Sequence, residues 1–231
     1  MADYLFSRIV PRPELDWSQV ERLAHFDSYG QHQAVWELFD LSPDGAERGR
    51  VFLFRHECHG DLPAFYIVSR DTPRDQHGLW DIRSKLYAPQ LEAGDQLHFK
   101  VRVNPVVRRN GKRHDVVMDA KQRLGWKELP PVKRPPVSAL AYEAGTVWLA
   151  SQAEKHGFTF APTSLIVDGY CTHAVQRRGR DRICFSTLDF AGILTVVNPE
   201  QFVHALYRGI GPAKGFGCGL LLVKRSSPEI C

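Results

Sequence analysis

Five glycines fall within eleven residues, Gly209, Gly211, Gly215, Gly217 and Gly219, between a predicted helix and a predicted last strand. A run this dense is neither helix nor strand, because glycine disfavours both and opens the backbone to positive φ and to close approach. It forces a compact turn, either packed hard against neighbouring elements or wrapped around a ligand. Lys214 stands inside it. Successive turn amides form a concave anion site and a lysine adds positive charge, so a phosphate is the simplest ligand. A plain close-packing turn explains the loop equally well when it is judged alone. It is not a Walker A loop, since Gly215 and Phe216 follow Lys214 where a hydroxyl is required. It is not a Rossmann fingerprint either, since it leads from a helix into a strand.

The chain has 231 residues, 43% of them apolar, enough for one large domain or two small ones. A net charge of +4 permits a nucleic-acid partner without demanding one. The five cysteines (58, 171, 184, 218 and 231) are odd in number and lack a C-x-x-C pair, which points to reduced thiols. No basic leader with an apolar stretch opens the chain, and no apolar run reaches the length of a membrane span. The expectation is a cytoplasmic protein with no membrane partner.

Periodicity predicts a strand over 4–10, helices over 17–26 and 32–39 separated at Gly30, and strands over 51–54, 64–69 and 97–103. Residues 105–136 read as a linker, with a basic hairpin tip at 108–113. A short strand near 116–118 is needed to complete the second half. A helix over 138–155, strands over 165–176 and 183–197, a helix from Pro199 to Arg208 capped by Asn198, and a last strand over 220–223 follow. Each half reads as β-α-β-β-α-β, although the second helix of the first half, between 70 and 96, is poorly signalled. The fold expected is α+β, two tandem ferredoxin-like (RRM-like) domains with a groove between them. They span 1–104 and 137–231.

The candidate chemistry gathers in the second half. Arg177, Arg178, Arg180 and Arg182 form a tight basic turn between two strands, suited to forked contacts with the phosphates of an RNA stem. Taken alone, such a run is more often a solvated charge cluster. No RNP-type aromatic signature is evident in the sequence. His56 and His59 lie three apart on a predicted strand and so on opposite faces, which argues against a metal pair.

The segment 209–221 resembles the C-terminal signature of the CRISPR repeat-processing endoribonucleases, the CasE-type subunits of type I-E Cascade complexes. Phe99 to Pro105, with Arg102 and Asn104, looks like that family's arginine-x-asparagine-proline strand end. Residues 29–39 look like its first-helix segment, and Phe190 to Val196 resembles its Phe-Glu-Gly-x-Leu strand, with Ala191 in place of the glutamate. The matches fall in order along nearly the whole chain. An extension of about residues 14–27 precedes the catalytic segment.

The resemblance implies cleavage of the CRISPR repeat stem-loop without metal or cofactor, with the product kept bound beside other Cascade subunits. It implies His32 and Tyr29 as the catalytic pair. Lys214, Gly211, Gly217, Gly219, Arg102 and the four arginines of the basic turn would contact RNA. Such chemistry suits these residue types: a histidine near neutral pKa serves as general base or acid toward a 2′-hydroxyl, and loop amides or a lysine stabilise the charged phosphate. A non-catalytic RNA-hairpin-binding subunit of the same fold is the rival reading.

Overall fold

The computed structural model describes residues 3–24, 28–39, 52–109, 111–175 and 183–225. The N-terminal unit runs β1 (Leu5–Pro11), α1 (Trp17–Ala24), α2 (Ser28–Glu37), β2 (Phe52–His59), β3 (Leu62–Ser69) and β4 (Trp80–Leu86). Its antiparallel sheet has the order β2-β3-β1-β4. Helix α1 starts where Asp16 accepts a bond from the Gln19 amide at 2.9 Å, satisfying a donor that the helix itself cannot. Ile9, Phe54, Phe65 and Ile67 project from one face of the sheet and bury Leu23, Val35 and Leu38 of the helical layer. Gly30, expected to interrupt the helix, lies within α2.

The C-terminal unit comprises β5 (Gln96–Val103), β6 (Val106–Arg109), β7 (Lys112–Asp115), α3 (Val116–Leu124), α4 (Val137–Lys155), β8 (Phe158–Phe160), β9 (Ile166–Val175), β10 (Ile183–Val196), α5 (Pro199–Arg208) and β11 (Leu221–Arg225). Its main sheet has the order β11-β5-β10-β8, and β9 also pairs with β10. Leu97, Phe99, Val101 and Val103 alternate into a core with Leu149, Phe190, Leu194, Phe202 and Leu206. Asn198 caps α5 by accepting from the Gln201 amide at 3.1 Å, with Pro199 at the first position.

Two sequence expectations are corrected here. Strand β5, assigned to the first unit, pairs with β10 and β11 of the second, so the division falls between β4 and β5 rather than at 104. The strand that closes the first sheet is β4, which the sequence reading did not propose. Residues 105–136 are also more than a linker: β6 and β7 form a hairpin, and 116–118 open a helix instead of a strand. Val116 and Val117 favour a strand, but Asp115 accepts from the Met118 amide at 2.7 Å and Gly125 closes the helix at φ 60°. Both caps outweigh a local preference worth tenths of a kcal/mol, roughly.

Each unit is thus a ferredoxin-like βαββ(α)β module with its strands in the spatial order 4-1-3-2, the first lacking its second helix. The units meet where Leu53 and Val68 of the first sheet bury Leu220 ahead of β11. Arg55 of β2 reaches Asp189 of β10 beside this contact. Among the described residues, no helix is long and apolar enough to cross a membrane.

Candidate active site

Helix α2 carries His32 at the outer edge of the first unit, and the glycine-rich loop of the second unit comes to meet it. The loop leaves α5 at Gly209, makes a 3-10 turn over Lys214–Phe216, and enters β11. The turn begins at Ala213, a non-glycine residue at φ 55°. It sets the Gly215 carbonyl 2.6 Å from His32 Nδ1. A carbonyl oxygen only accepts, so Nδ1 carries the hydrogen and the imidazole lone pair sits on Nε2. Trp36 Nε1 also lies 3.2 Å from Nδ1. It cannot donate to a nitrogen already protonated in the ring plane, so this approach is a ring contact, with centroids 5.6 Å apart.

Beyond His32 a column of rings crosses from one unit to the other. Phe216 lies 5.6 Å from the His32 ring, Phe185 of β10 stacks on Phe216 at 4.9 Å, and His173 of β9 stacks on Phe185 at 4.9 Å. His173 Nε2 meets Thr187 Oγ1 at 2.9 Å. Burial, and then the nearby Arg102 charge, lower its pKa and favour the neutral ring. None of Trp36, Phe185, Phe216 and His173 was singled out from sequence. Phe216 had a signal, being the one aromatic in the glycine run, and Trp36 follows His32 by four residues on α2, whereas Phe185 and His173 meet through strand register.

Tyr29 belongs to α2 one turn before His32. Arg177, Arg178, Arg180 and Arg182 lie outside the described residues, in the connection from β9 to β10.

Lys214 bends back onto its own helix. Its ammonium donates to the carbonyls of Arg208 at 2.6 Å and Gly209 at 2.9 Å, closing the negative end of α5. The loop glycines are explained largely by packing. A Cβ on Gly211 would press on Trp148 at 3.2 Å, and one on Gly217 on Phe54 at 3.2 Å. On Gly219 it would strike the Ile210 carbonyl at 2.5 Å. The amides of Ile210, Phe216 and Gly219 already donate to Gly219, Ala213 and Arg102 carbonyls, so at these positions the loop is a folded brace rather than an open anion cradle.

Arg102 departs most from expectation. Its guanidinium is held by Asp189 through Nε at 3.2 Å and a second nitrogen at 2.8 Å. Burial opposes its charge, but the Asp189 hydrogen bonds prevail and raise its pKa. Its ion pair with Asp189 places it beside the seam between the units. Asn104, from the same strand end, is buried and donates to the Ser186 carbonyl at 2.8 Å. Cys218 is sealed below the loop, and burial pushes its thiol up to about 12, an inert group at neutral pH.

The chain matches the family model for CRISPR associated protein over residues 5–225. The Cascade subunit CasE of Escherichia coli K12 is 29% identical over 204 residues, 84% of this chain and 90% of that protein. The CRISPR-associated endoribonuclease Cse3 of Thermus thermophilus is 26% identical over 199 residues, 78% and 81% of the two. Among solved structures, Thermus thermophilus Cse3 bound to an RNA representing a pre-cleavage complex superposes with a TM-score of 0.69 at 23% identity, covering 96% of this chain and 99% of that one. Cas6e from Escherichia coli K-12 gives 0.53 at 22% identity, covering 96% and 100%. The tandem fold is therefore shared with these proteins, and the chain belongs to the CRISPR-associated protein family.

Proposed function

We propose that this protein is a metal-independent, cofactor-free endoribonuclease of the cytoplasm. It cuts CRISPR precursor RNA at the base of the repeat stem-loop and stays on the product beside other Cascade subunits. The observation that carries the reading is the bond from His32 Nδ1 to the Gly215 carbonyl. It fixes the tautomer and leaves the Nε2 lone pair as the base.

Nε2 removes the proton of a ribose 2′-hydroxyl, and the oxygen attacks the adjacent phosphorus in line. The P–O5′ bond breaks, giving a 2′,3′-cyclic phosphate and a 5′-hydroxyl. Tyr29, one turn away on the same helix, supplies a hydrogen bond or proton to the leaving oxygen. The stem lies along Arg177, Arg178, Arg180 and Arg182, with the glycine loop at the scissile end. Lys214 adds positive potential there from its seat on α5. The names of the CasE and Cse3 relatives, a Cascade subunit and an endoribonuclease, agree with this role.

A labelled repeat hairpin incubated with the protein in EDTA tests it. Cutting persists in EDTA, stops with a 2′-deoxy nucleotide at the scissile position, and falls by on the order of a hundred- to ten-thousand-fold in His32→Ala with hairpin binding intact. Tight binding without cutting by the wild type would move the protein to the non-catalytic reading.

A further inference from the structure

Strand β4 is an edge of the first sheet, with β1 as its neighbour on one side. Their antiparallel register runs unbroken from Trp80 opposite Pro11 to Leu86 opposite Leu5. The amides of Arg12 and Tyr87 donate to the carbonyls of Leu79 and Tyr4, which fixes the phase of the ladder. The odd-numbered residues of β4 therefore turn their backbone toward β1, and the even-numbered ones turn theirs away. Trp80, first on the outer side, is closed off. Its amide donates to the Asp75 carboxylate at 3.1 Å, and its carbonyl accepts from Arg12 Nε at 3.1 Å. After it, the N–H and C=O groups of Ile82, Ser84 and Leu86 have no partner among the described residues. Residues 83–86 are exposed. Neither a proline nor a register shift interrupts the stretch, although such devices commonly blunt an open edge.

Side chains alternate along this edge, with Ile82, Ser84 and Leu86 on the side of the helices and Arg83 and Lys85 on the other. Arg83 reaches back to Asp81 at 3.2 Å, and the Lys85 ammonium hangs 6.0 Å from the centre of the Phe6 ring. Two cations thus outweigh one carboxylate. At its Trp80 end the edge opens into a groove of about 820 Å³ between Pro13 and Pro73, lined also by Glu14 and Arg74, one charge of each sign.

An outward row of alternating donors and acceptors at strand spacing is matched by another extended polypeptide. A nucleic acid brings acceptors but no matching row of amides. A second copy of this chain is disfavoured, because two β4 edges paired antiparallel about Ser84 set Arg83 of each against Lys85 of the other. The same two cations favour an incoming strand with acidic side chains beside them and apolar ones beside Ile82 and Leu86.

We propose that the open edge of β4 captures an extended acidic segment of a partner protein by β-strand addition, its carboxylates beside Arg83 and Lys85. The site is separate from His32 and does not require it to be catalytic, so the decisive readout is binding.

A short fluorescein-labelled peptide alternating glutamate and valine is titrated against the full chain. It binds, and a lysine–valine peptide of the same length does not. Methylating the valine backbone nitrogens removes the amides that face β4 in antiparallel pairing, and methylating those of the glutamates removes the ones that face it in parallel pairing. One of the two methylated peptides therefore loses about tenfold or more in affinity while the other holds. Arg83→Glu with Lys85→Glu alters only exposed side chains and exchanges the preference, so that the lysine–valine peptide binds and the glutamate–valine peptide does not. Equal effects of the two methylations would reduce the contact to charge alone and overturn the proposal. So would a wild type that ignores the acidic peptide. A wild type that sediments as a dimer until Leu86→Pro removes an outward amide, a change an edge strand tolerates, would overturn it in favour of a second copy.

Discussion

His56 on β2 illustrates how a single residue is tuned by what it packs against. Its ring lies 5.7 Å from Phe65. Burial first, and the Arg102 charge second, take its pKa from 6.5 to about 4. The folded protein therefore holds a neutral imidazole where the unfolded chain would already take a proton. Between pH 6.5 and about 4 the unfolded state binds more protons, so stability declines as pH falls through that window. The urea midpoint at about pH 4.5 should lie below that at about pH 7, and in His56→Gln the gap between the two should narrow. An unchanged gap would mean that His56 is not the group responsible. Sequence reasoning put His32 forward among ten histidines only through its resemblance to a family segment. The carbonyl that meets its Nδ1 comes from a residue 183 positions away, a contact that no local pattern encodes.

At the scale of the element, the glycine loop was legible in its existence and position but not in its physics. The sequence offered a phosphate cradle and a close-packing turn as equals, and the packing reading accounts for most of the described geometry. The two kinds of glycine can be separated by experiment. Gly219 has φ +91°, and a Cβ there would meet the Ile210 carbonyl oxygen at 2.5 Å, in a stretch already tied to Arg102 by its own amide. Gly219→Ala should cost at least about 2 kcal/mol in chemical denaturation, since both the dihedral and the contact are unfavourable. Gly215 meets only the edge of the His32 ring, at 3.7 Å, an ordinary contact. Gly215→Ala should change stability by less than about 0.5 kcal/mol, with the carbonyl still on Nδ1. Equal losses in the two variants would show that the loop is not braced at its β11 end. Helix α5 was legible to the residue because its signals, Asn198, Pro199 and Gly209, are local. Helix α3 was missed because two valines outweighed a cap whose identity depends on the chain direction after β7.

At the scale of the molecule, the modules were visible as repeating strand and helix patterns, yet their division was not. Strand β5 reads in sequence as the closing strand of the first unit, but its hydrogen bonds go to β10 and β11, far along the chain. Pairing between strands is set by the complementarity of whole faces, which a single strand does not reveal. The same seam hides a charge cluster that no motif announced. Arg55 is 5% exposed and contacts Glu57 and Asp189, while Asp189 also takes the fork of Arg102. Two guanidinium groups are thus balanced by two carboxylates across the boundary between the units. Arg55 keeps one buried nitrogen with no partner among the described residues, so the cluster has little slack. Asp189→Asn preserves shape and removes one negative charge, leaving the two cations facing each other in a poorly solvated place. Breaking a buried pair from one side costs about 3–5 kcal/mol, and partial exposure of Asp189 puts this case near the lower end. The urea melt should register that loss. Because the seam also holds the loop against α2, the rate of hairpin cutting should fall. A variant as stable as the wild type would show that apolar contact at Leu53, Val68 and Leu220 alone joins the units. A loss of stability with undiminished cutting would mean that the loop reaches His32 independently of the charges beneath it.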